Sequence, residues 1–235
     1  MSYEYAYIVG LSIMGAAFAG LYWYRADLRR AMVWSGLAYF AVLSIGFLML
    51  KIFFPDISPE RSIIPGYWNP NTLFDLGRRT GGYGIEDAIY MFFTGGIAVA
   101  IYEELFRKHL GNRKIKHKPH TAFAIGALGA IFTAAVHVNL IYAMITSGFV
   151  GAIIIWFQRP DLIKHSLLGG ASYLFVYFLF FLLFLQLYPD YIHLYYGVAN
   201  LSGYLFFGIP IEEFLFAFSF GLMWSPIYEY AKDLR

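Results

Sequence analysis

The chain of 235 residues contains no cysteine, few charged residues and no strong net charge. The absence of cysteine excludes disulfides, thiolate chemistry and metal sites built from cysteine. Charged residues make up 14% of the chain, against about 25% in soluble domains. A net charge of +2 is too small to indicate a nucleic-acid partner. No G-x-G-x-x-G fingerprint and no soluble βαβ pattern is present, so no dinucleotide-binding domain is expected.

Hydrophobic residues account for 60% of the chain and occur in long runs. A membrane-spanning helix needs about 20 predominantly apolar residues, so the sequence predicts an all-α membrane protein with about seven transmembrane helices. The apolar run over residues 121–157 is about twice a bilayer length, and we divide it near Asn139. The predicted spans are residues 5–24, 32–53, 85–106, 121–138, 141–157, 166–188 and 207–228.

Lysine and arginine are unevenly distributed over the predicted loops. If the N-terminus lies outside, the outer side carries Lys51, Arg61, Arg78 and Arg79, and the other basic residues fall on the inner side. Because basic loops stay in the cytoplasm, the sequence predicts an integral protein of the cell membrane with its N-terminus outside and its C-terminus in the cytoplasm.

Residues 55–83 form one long predicted loop. The prolines in this segment argue against a continuous helix. A loop of this length is more often functional, for instance as a lid, than a simple connector. We expect Tyr67 and Trp68 within it to lie at the membrane interface.

An internal repeat relates the third predicted helix to the seventh. At an offset of 126 residues, GYGIEDAIYMFFTGGIAVAIYE (82–103) aligns without a gap with GIPIEEFLFAFSFGLMWSPIYE (208–229). Shared apolar composition would not place acidic residues, glycines and a Tyr-Glu pair in one register. The identical pairs are Gly77/Gly203, Gly82/Gly208, Ile85/Ile211, Glu86/Glu212, Phe92/Phe218, Gly95/Gly221, Ile101/Ile227, Tyr102/Tyr228 and Glu103/Glu229.

The repeat divides the chain into two three-helix units, residues 1–106 and 141–235. Residues 107–140 join them and contain a basic loop and the linker helix 121–138. Because a unit of three helices ends on the side opposite its start, the linker helix gives both units the same direction. The units are then parallel repeats related by an axis along the membrane normal. Both acidic pairs are therefore expected at one depth, near the outer ends of their helices.

Each unit carries an acidic pair at a predicted helix start: Glu86 with Asp87, and Glu212 with Glu213. Negative charge at a helix N-terminus contributes about 0.3–1 kcal/mol, so capping is one explanation. Ionisable groups in membrane helices are costly, however, and usually face a cavity or a partner. Successive helical residues point about 100° apart, so we expect one member of each pair to face inward and the other to bond backbone. Buried carboxyl groups of this kind serve as general acids and bases.

Aromatic residues make up 21% of the chain. Aromatic faces stabilise cations by about 0.5–2 kcal/mol, so carboxyl groups among aromatic rings suit a carbocation formed in an oily substrate. Contact with lipid is the alternative for each ring. The predicted substrate-binding residues are Tyr90, Phe93, Phe216, Phe220 and Trp224, and the residues with predicted structural roles are Pro210, Gly95 and Gly221.

The remaining polar residues have simpler interpretations. Glu103 and Glu229, each preceded by a tyrosine, are expected near the inner membrane interface. The histidines of the basic loop, His109, His117 and His120, have no acidic neighbours, so no metal site is predicted there.

The motif GIPIEEFLF followed by YEY, with its copy GIEDAIYMFF followed by YEE, resembles the lycopene cyclase domain of carotenoid biosynthesis. That family consists of small integral-membrane proteins, found as heterodimers of three-helix subunits or as fused chains, and the resemblance covers both repeats. It implies that the family's proline-x-glutamate-glutamate/aspartate motif, which supplies the acid, lies at Pro210, Glu212 and Glu213. Glu86 and Asp87 are the first copy, in which Gly84 replaces the proline.

The resemblance implies an isomerase that closes a ring at the end of a linear carotenoid by adding and then losing a proton. This chemistry is redox-neutral and requires no cofactor and no metal. The expected partners are a hydrophobic isoprenoid substrate and the lipid bilayer, together with further copies of the chain or other carotenoid enzymes.

Two other functions remain open from the sequence. Another membrane terpene or meroterpenoid cyclase would use the same acid-initiated chemistry. A non-enzymatic seven-helix transporter or carotenoid-binding protein would also carry acidic pairs in its helices. A retinal protein is disfavoured because the seventh predicted helix contains no lysine for a Schiff base.

Overall fold

A computed structural model describes residues 2–80, 83–107 and 139–234. The predicted linker helix 121–138 and most of the basic loop lie outside the described residues. Within them the chain is mainly helical, with one two-stranded hairpin. The elements are α1 (Ala6–Tyr24), α2 (Arg29–Phe53), α3 (Leu76–Arg79), α4 (Ile85–Leu105), α5 (Leu140–Gln158), α6 (Ile163–Leu187), α7 (Tyr191–Tyr195), β1 (Leu205–Phe206), β2 (Ile209–Pro210), α8 (Ile211–Trp224) and α9 (Ile227–Lys232).

Five helices in the described part of the chain are long and apolar enough to cross a membrane: α1, α2, α4, α5 and α6. Each falls on a predicted span, with ends that differ by up to three residues. Such runs are the signature of an integral membrane protein, because only helices satisfy their own backbone hydrogen bonds in lipid.

The seventh predicted span, residues 207–228, is wrong in its extent. Phe207 and Gly208 form the two-residue turn of the β1–β2 hairpin, and both have positive φ angles, of 51° and 76°. Two successive positive φ angles are typical of a type I′ hairpin turn and are incompatible with a right-handed helix. Helix α8 therefore begins only at Ile211, with Pro210 as its N-cap rather than its first residue. The chain leaves regular helix again at Ser225 and Pro226, where proline has no N–H to donate.

Small residues allow the helices that carry the acidic pairs to approach their neighbours closely. A methyl group placed on Gly95 of α4 would lie 2.8 Å from the Ser35 carbonyl oxygen and from Tyr39 Cβ on α2. A methyl group placed on Gly221 of α8 would lie 2.9 Å from Gly170 Cα on α6. Glycine at such crossings is typical of membrane helices, which associate through close packing rather than through the hydrophobic effect.

A second sequence correspondence, which the offset of 126 does not reveal, precedes α2 and α6. The tetrapeptides RADL (25–28) and RPDL (159–162) lie 134 residues apart. In each, the arginine donates through Nε and Nη2 to both carboxylate oxygens of the aspartate, over 2.8–2.9 Å. Each arginine also donates to a distant carbonyl oxygen, Arg25 to Glu103 and Arg159 to Leu234. The same local geometry thus starts both helices.

Candidate active site

Helices α4 and α8, which carry the two acidic pairs, both line one apolar cavity. Its volume is about 1410 Å³, and its walls come from α1, α2, α4 to α9, the loop between α2 and α3 and Tyr196. Among its lining residues are one acidic side chain from each repeat helix, Asp87 of α4 and Glu213 of α8. Both side chains are buried. The cavity therefore presents two carboxyl groups to an otherwise largely hydrocarbon space.

Three tyrosines hold the Glu213 carboxyl group. Tyr67 and Tyr196 donate to Oε1 over 2.5 Å and 2.7 Å. Tyr177 of α6 donates to Oε2 over 2.6 Å. These tyrosines fix the orientation of the carboxyl group, because a carboxylate accepts hydrogen bonds strongly at both oxygens.

The loop that the sequence predicts as a lid supplies one of these tyrosines. Tyr67, which we expect at the membrane interface, is buried within the protein, where it contacts Glu213. Two backbone hydrogen bonds attach the loop to the end of α7 and the residues after it. The Asn69 N–H donates to the Tyr195 carbonyl, and the Gly197 N–H donates to the Tyr67 carbonyl. Burial, and then the nearby Glu213 carboxylate, raise the pKa of the Tyr67 and Tyr196 phenols, so both remain protonated donors.

Asp87 is held by one side-chain and one backbone donor. Tyr7 of α1 donates to Oδ1 over 2.8 Å. The Gly84 N–H donates to Oδ2 over 2.6 Å, so Asp87, the third residue of α4, satisfies the N-cap N–H of its own helix. Asp87 therefore both caps its helix and faces the cavity.

Glu86 and Glu212, which the sequence analysis also predicts as catalytic, do not line this cavity. The Leu73 N–H donates to Glu86 Oε1 over 2.5 Å. The Ser202 N–H and the Tyr142 hydroxyl donate to Glu212 Oε1 over 2.9 Å and 2.6 Å. Both glutamates are buried and attach the preceding loop to the helix start. In each pair, the first residue thus binds a backbone N–H and the second faces the cavity.

Four of the five predicted substrate-binding aromatics line the cavity: Tyr90, Phe216, Phe220 and Trp224. Phe93 does not, because its ring is turned toward α1, where it packs 5.3 Å from the Phe18 ring. The cavity rings contact one another in succession, with Phe216 stacked on Phe220 at 5.8 Å and Phe220 on Trp224 at 5.8 Å.

Sequence reasoning did not identify the tyrosines that contact the acidic pairs. One signal exists: Tyr-x-x-x-x-Ser occurs at the start of both α1 and α5, as Tyr7 with Ser12 and Tyr142 with Ser147. Each tyrosine donates to an acidic pair, Tyr7 to Asp87 and Tyr142 to Glu212. The two half-sites differ here, because the tyrosines contact different members of their pairs.

The fold and the site together define a polytopic membrane protein in which two buried carboxyl groups, one from α4 and one from α8, line a largely apolar cavity. The family model for lycopene cyclase matches residues 4–105 and 139–231, which is most of the chain. The chain therefore belongs to the lycopene cyclase family, a family of membrane proteins of carotenoid biosynthesis, and the resemblance seen in the sequence is confirmed. The match leaves out residues 106–138. Searches of curated proteins and of solved structures return no match.

Proposed function

We propose that the protein cyclises the end group of a linear, lycopene-type carotenoid in a redox-neutral reaction started by a carboxylic acid. The observation that carries this proposal is that Asp87 and Glu213 both line one cavity with aromatic walls. Membership of the lycopene cyclase family supports the substrate class. The proposed enzyme class is intramolecular lyase, a type of isomerase.

The reaction needs one proton donor and one proton acceptor. A protonated carboxyl group adds its proton to the terminal double bond of the substrate and leaves a tertiary carbocation. The neighbouring double bond attacks this cation, which closes a six-membered ring and moves the charge onto the ring. A carboxylate then removes a ring proton and leaves a cyclohexene. The product has the formula of the substrate, and no electrons are exchanged with a cofactor.

Asp87 and Glu213 divide the roles of acid and base, since both line the cavity and lie on different helices. The aromatic faces of Tyr177, Phe216 and Phe220 stabilise the intermediate cation, each by about 0.5–2 kcal/mol. Glu86 and Glu212 act as positioning residues that hold the starts of α4 and α8 against the preceding loops. Water is excluded by the apolar walls, which protects the cation from capture.

We also propose the finer architecture: seven membrane helices in two parallel three-helix units, residues 1–106 and 141–235, with the N-terminus outside. The register of the acidic pairs and the paired RADL and RPDL segments support two related units. The distribution of lysine and arginine supports the orientation. Labelling of single cysteines introduced at either terminus, in intact cells, tests it, because the native chain has no cysteine to interfere.

The decisive experiment expresses variants in a lycopene-accumulating cell and separates the carotenoids by chromatography. Glu213→Gln and Asp87→Asn should each abolish ring formation, because an amide of nearly the same shape neither donates a proton to an alkene nor removes one. Glu212→Gln is the matched control: it changes the neighbouring residue outside the cavity and should retain more activity than Glu213→Gln.

Membrane insertion of each variant is verified by immunoblotting of the membrane fraction. Wild-type conversion of lycopene by both inserted cavity variants would overturn the proposal. A transporter or carotenoid-binding protein would leave lycopene unchanged even in the wild type. A cyclase for another isoprenoid would also leave lycopene unchanged, but it would cyclise a quinone-linked or shorter prenyl chain.

A further inference from the structure

Three buried side chains meet at the end of α4 remote from Asp87. They are Glu103 of α4, His165 of α6 and Glu229 of α9, and we call them the Glu-His-Glu cluster. Sixteen residues separate Asp87 from Glu103, about 24 Å along a helix at 1.5 Å per residue. None of the three lines the cavity. The cluster is therefore separate from the proposed acid–base site.

The side chains of this cluster are buried within the protein. Glu103 and Glu229, predicted near the inner membrane interface, are only 2% and 5% exposed, and His165 is 8% exposed. Tyr102 stacks on the imidazole ring at 4.0 Å. Burying two carboxylates is costly unless their charge is balanced and their oxygens are bonded.

The cluster has the spacing of a metal site. His165 Nε2 lies 3.5 Å from Glu103 Oε1, and Nδ1 lies 3.6 Å from Glu229 Oε1. One ligand atom from each residue lies within 4.8 Å of the other two. Two atoms bound tetrahedrally to one ion at about 2.1 Å lie about 3.4 Å apart. The two imidazole nitrogens face different carboxylates, and Nε2 also contacts Ser225 Oγ at 3.0 Å. Only one nitrogen can bind the ion, so the imidazole and both carboxylates must rotate for all three side chains to reach it.

Two carboxylate oxygens of the cluster lack a hydrogen-bond partner in the described part of the chain. They are Oε2 of Glu103 and Oε2 of Glu229, and both are buried. A buried oxygen without a donor is unusual in folded proteins and calls for an ion or a water. This observation is independent of the spacing, and a cation bound between the two carboxyl groups would satisfy both oxygens.

The nearby arginines already have acidic partners. Arg25 donates to Asp27 and to Glu104. Arg159 donates to both oxygens of Asp161. Arg25 and Arg159 also act electrostatically on Glu103 and Glu229, so five carboxyl groups share the two arginines. A divalent cation balances the two cluster carboxylates and leaves the imidazole neutral, which is the form that binds metals.

We propose that Glu103, His165 and Glu229 bind one divalent transition-metal ion of the Zn²⁺ type. One imidazole nitrogen and carboxylate oxygens form a typical ligand set for such an ion, and a fourth position remains for water. The ion links α4 to α6 and α9 at the end of α4 remote from Asp87. Its role is structural, because it lies about 24 Å along the helix from the proposed catalytic carboxyl group.

The test measures metal in protein purified in detergent, without a histidine tag, after loading with Zn²⁺ and removal of free metal. Elemental analysis should find about one Zn²⁺ per chain in the wild type. The Glu103→Gln/Glu229→Gln double variant should lose it, because an amide binds Zn²⁺ poorly. Glu104→Gln is the matched control: it removes an adjacent carboxylate that bonds Arg25 and is no member of the cluster, and it should retain the ion.

A thermal measurement on the wild type covers the case in which the double variant fails to fold. Zn²⁺ added to chelator-treated wild-type protein should raise its Tm, and the shift should persist in Glu104→Gln and disappear in His165→Ala. Less than one tenth of an equivalent of Zn²⁺ in the wild type, with no Tm shift, would overturn the proposal. Retention of Zn²⁺ by a folded double variant would do so too, because the ion would then lie on other side chains.

Discussion

Replacing Tyr177 with phenylalanine removes one of the three phenols that hold Glu213 and keeps an aromatic ring on the cavity wall. Tyr177 donates over 2.6 Å to Oε2, the oxygen that neither Tyr67 nor Tyr196 contacts. A hydrogen bond to a charged group contributes about 1.5–3 kcal/mol, and each 1.36 kcal/mol corresponds to a factor of about ten in rate. If the bond matters most during proton transfer, cyclisation should become about 10- to 150-fold slower.

The assay measures initial rates of ring formation by the purified protein in liposomes of increasing lycopene content. The Tyr177→Phe variant should lower kcat and kcat/KM together, which is the pattern for an interaction made in the transition state. Tyr142→Phe is the control, because it removes a phenol of the same kind from Glu212, outside the cavity. Equal rates for Tyr177→Phe and the wild type, or an equal loss in both variants, would refute the reasoning.

Two further predictions concern stability, measured by thermal unfolding in detergent. Gly221→Ala should lower Tm, because the added methyl would lie 2.9 Å from the α6 backbone, whereas Gly46→Ala, with open space around the new methyl, should not. An unchanged Tm for Gly221→Ala would contradict the close α6–α8 contact. In the second prediction, Arg159→Met should lower the free energy of unfolding by about 3–5 kcal/mol, because it breaks the buried ion pair between Arg159 and Asp161. Arg78→Met removes an exposed pair worth about 0–1 kcal/mol, and equal losses in the two variants would contradict the burial argument.

The helices and the acidic pairs could be predicted because their signals are local. Long apolar runs identify α1, α2, α4, α5 and α6, since lipid demands about 20 apolar residues whatever the tertiary contacts are. The different directions of Glu212 and Glu213 follow from the angle between successive helical residues. The hairpin turn at Phe207 was missed because its residues are as apolar as those of a helix, and hydropathy carries no information on φ.

The contacts that complete the sites could not be predicted because they join segments distant in sequence. Tyr67 and Glu213 are 146 residues apart, and the loop that carries Tyr67 is positioned by backbone bonds to the segment after α7. The burial of Glu103 and Glu229 depends on α6, which brings His165 between them. Neither a repeat nor a periodicity in the sequence specifies such contacts.

The most direct test of the acid–base cavity is an experimental structure with a linear carotenoid bound. The account predicts that a terminal double bond of the carotenoid lies within about 3–3.5 Å of a carboxyl oxygen of Asp87 or Glu213, with the chain among the cavity aromatics. An end group outside this cavity, with both carboxyl groups directed toward lipid or bulk water, would contradict it.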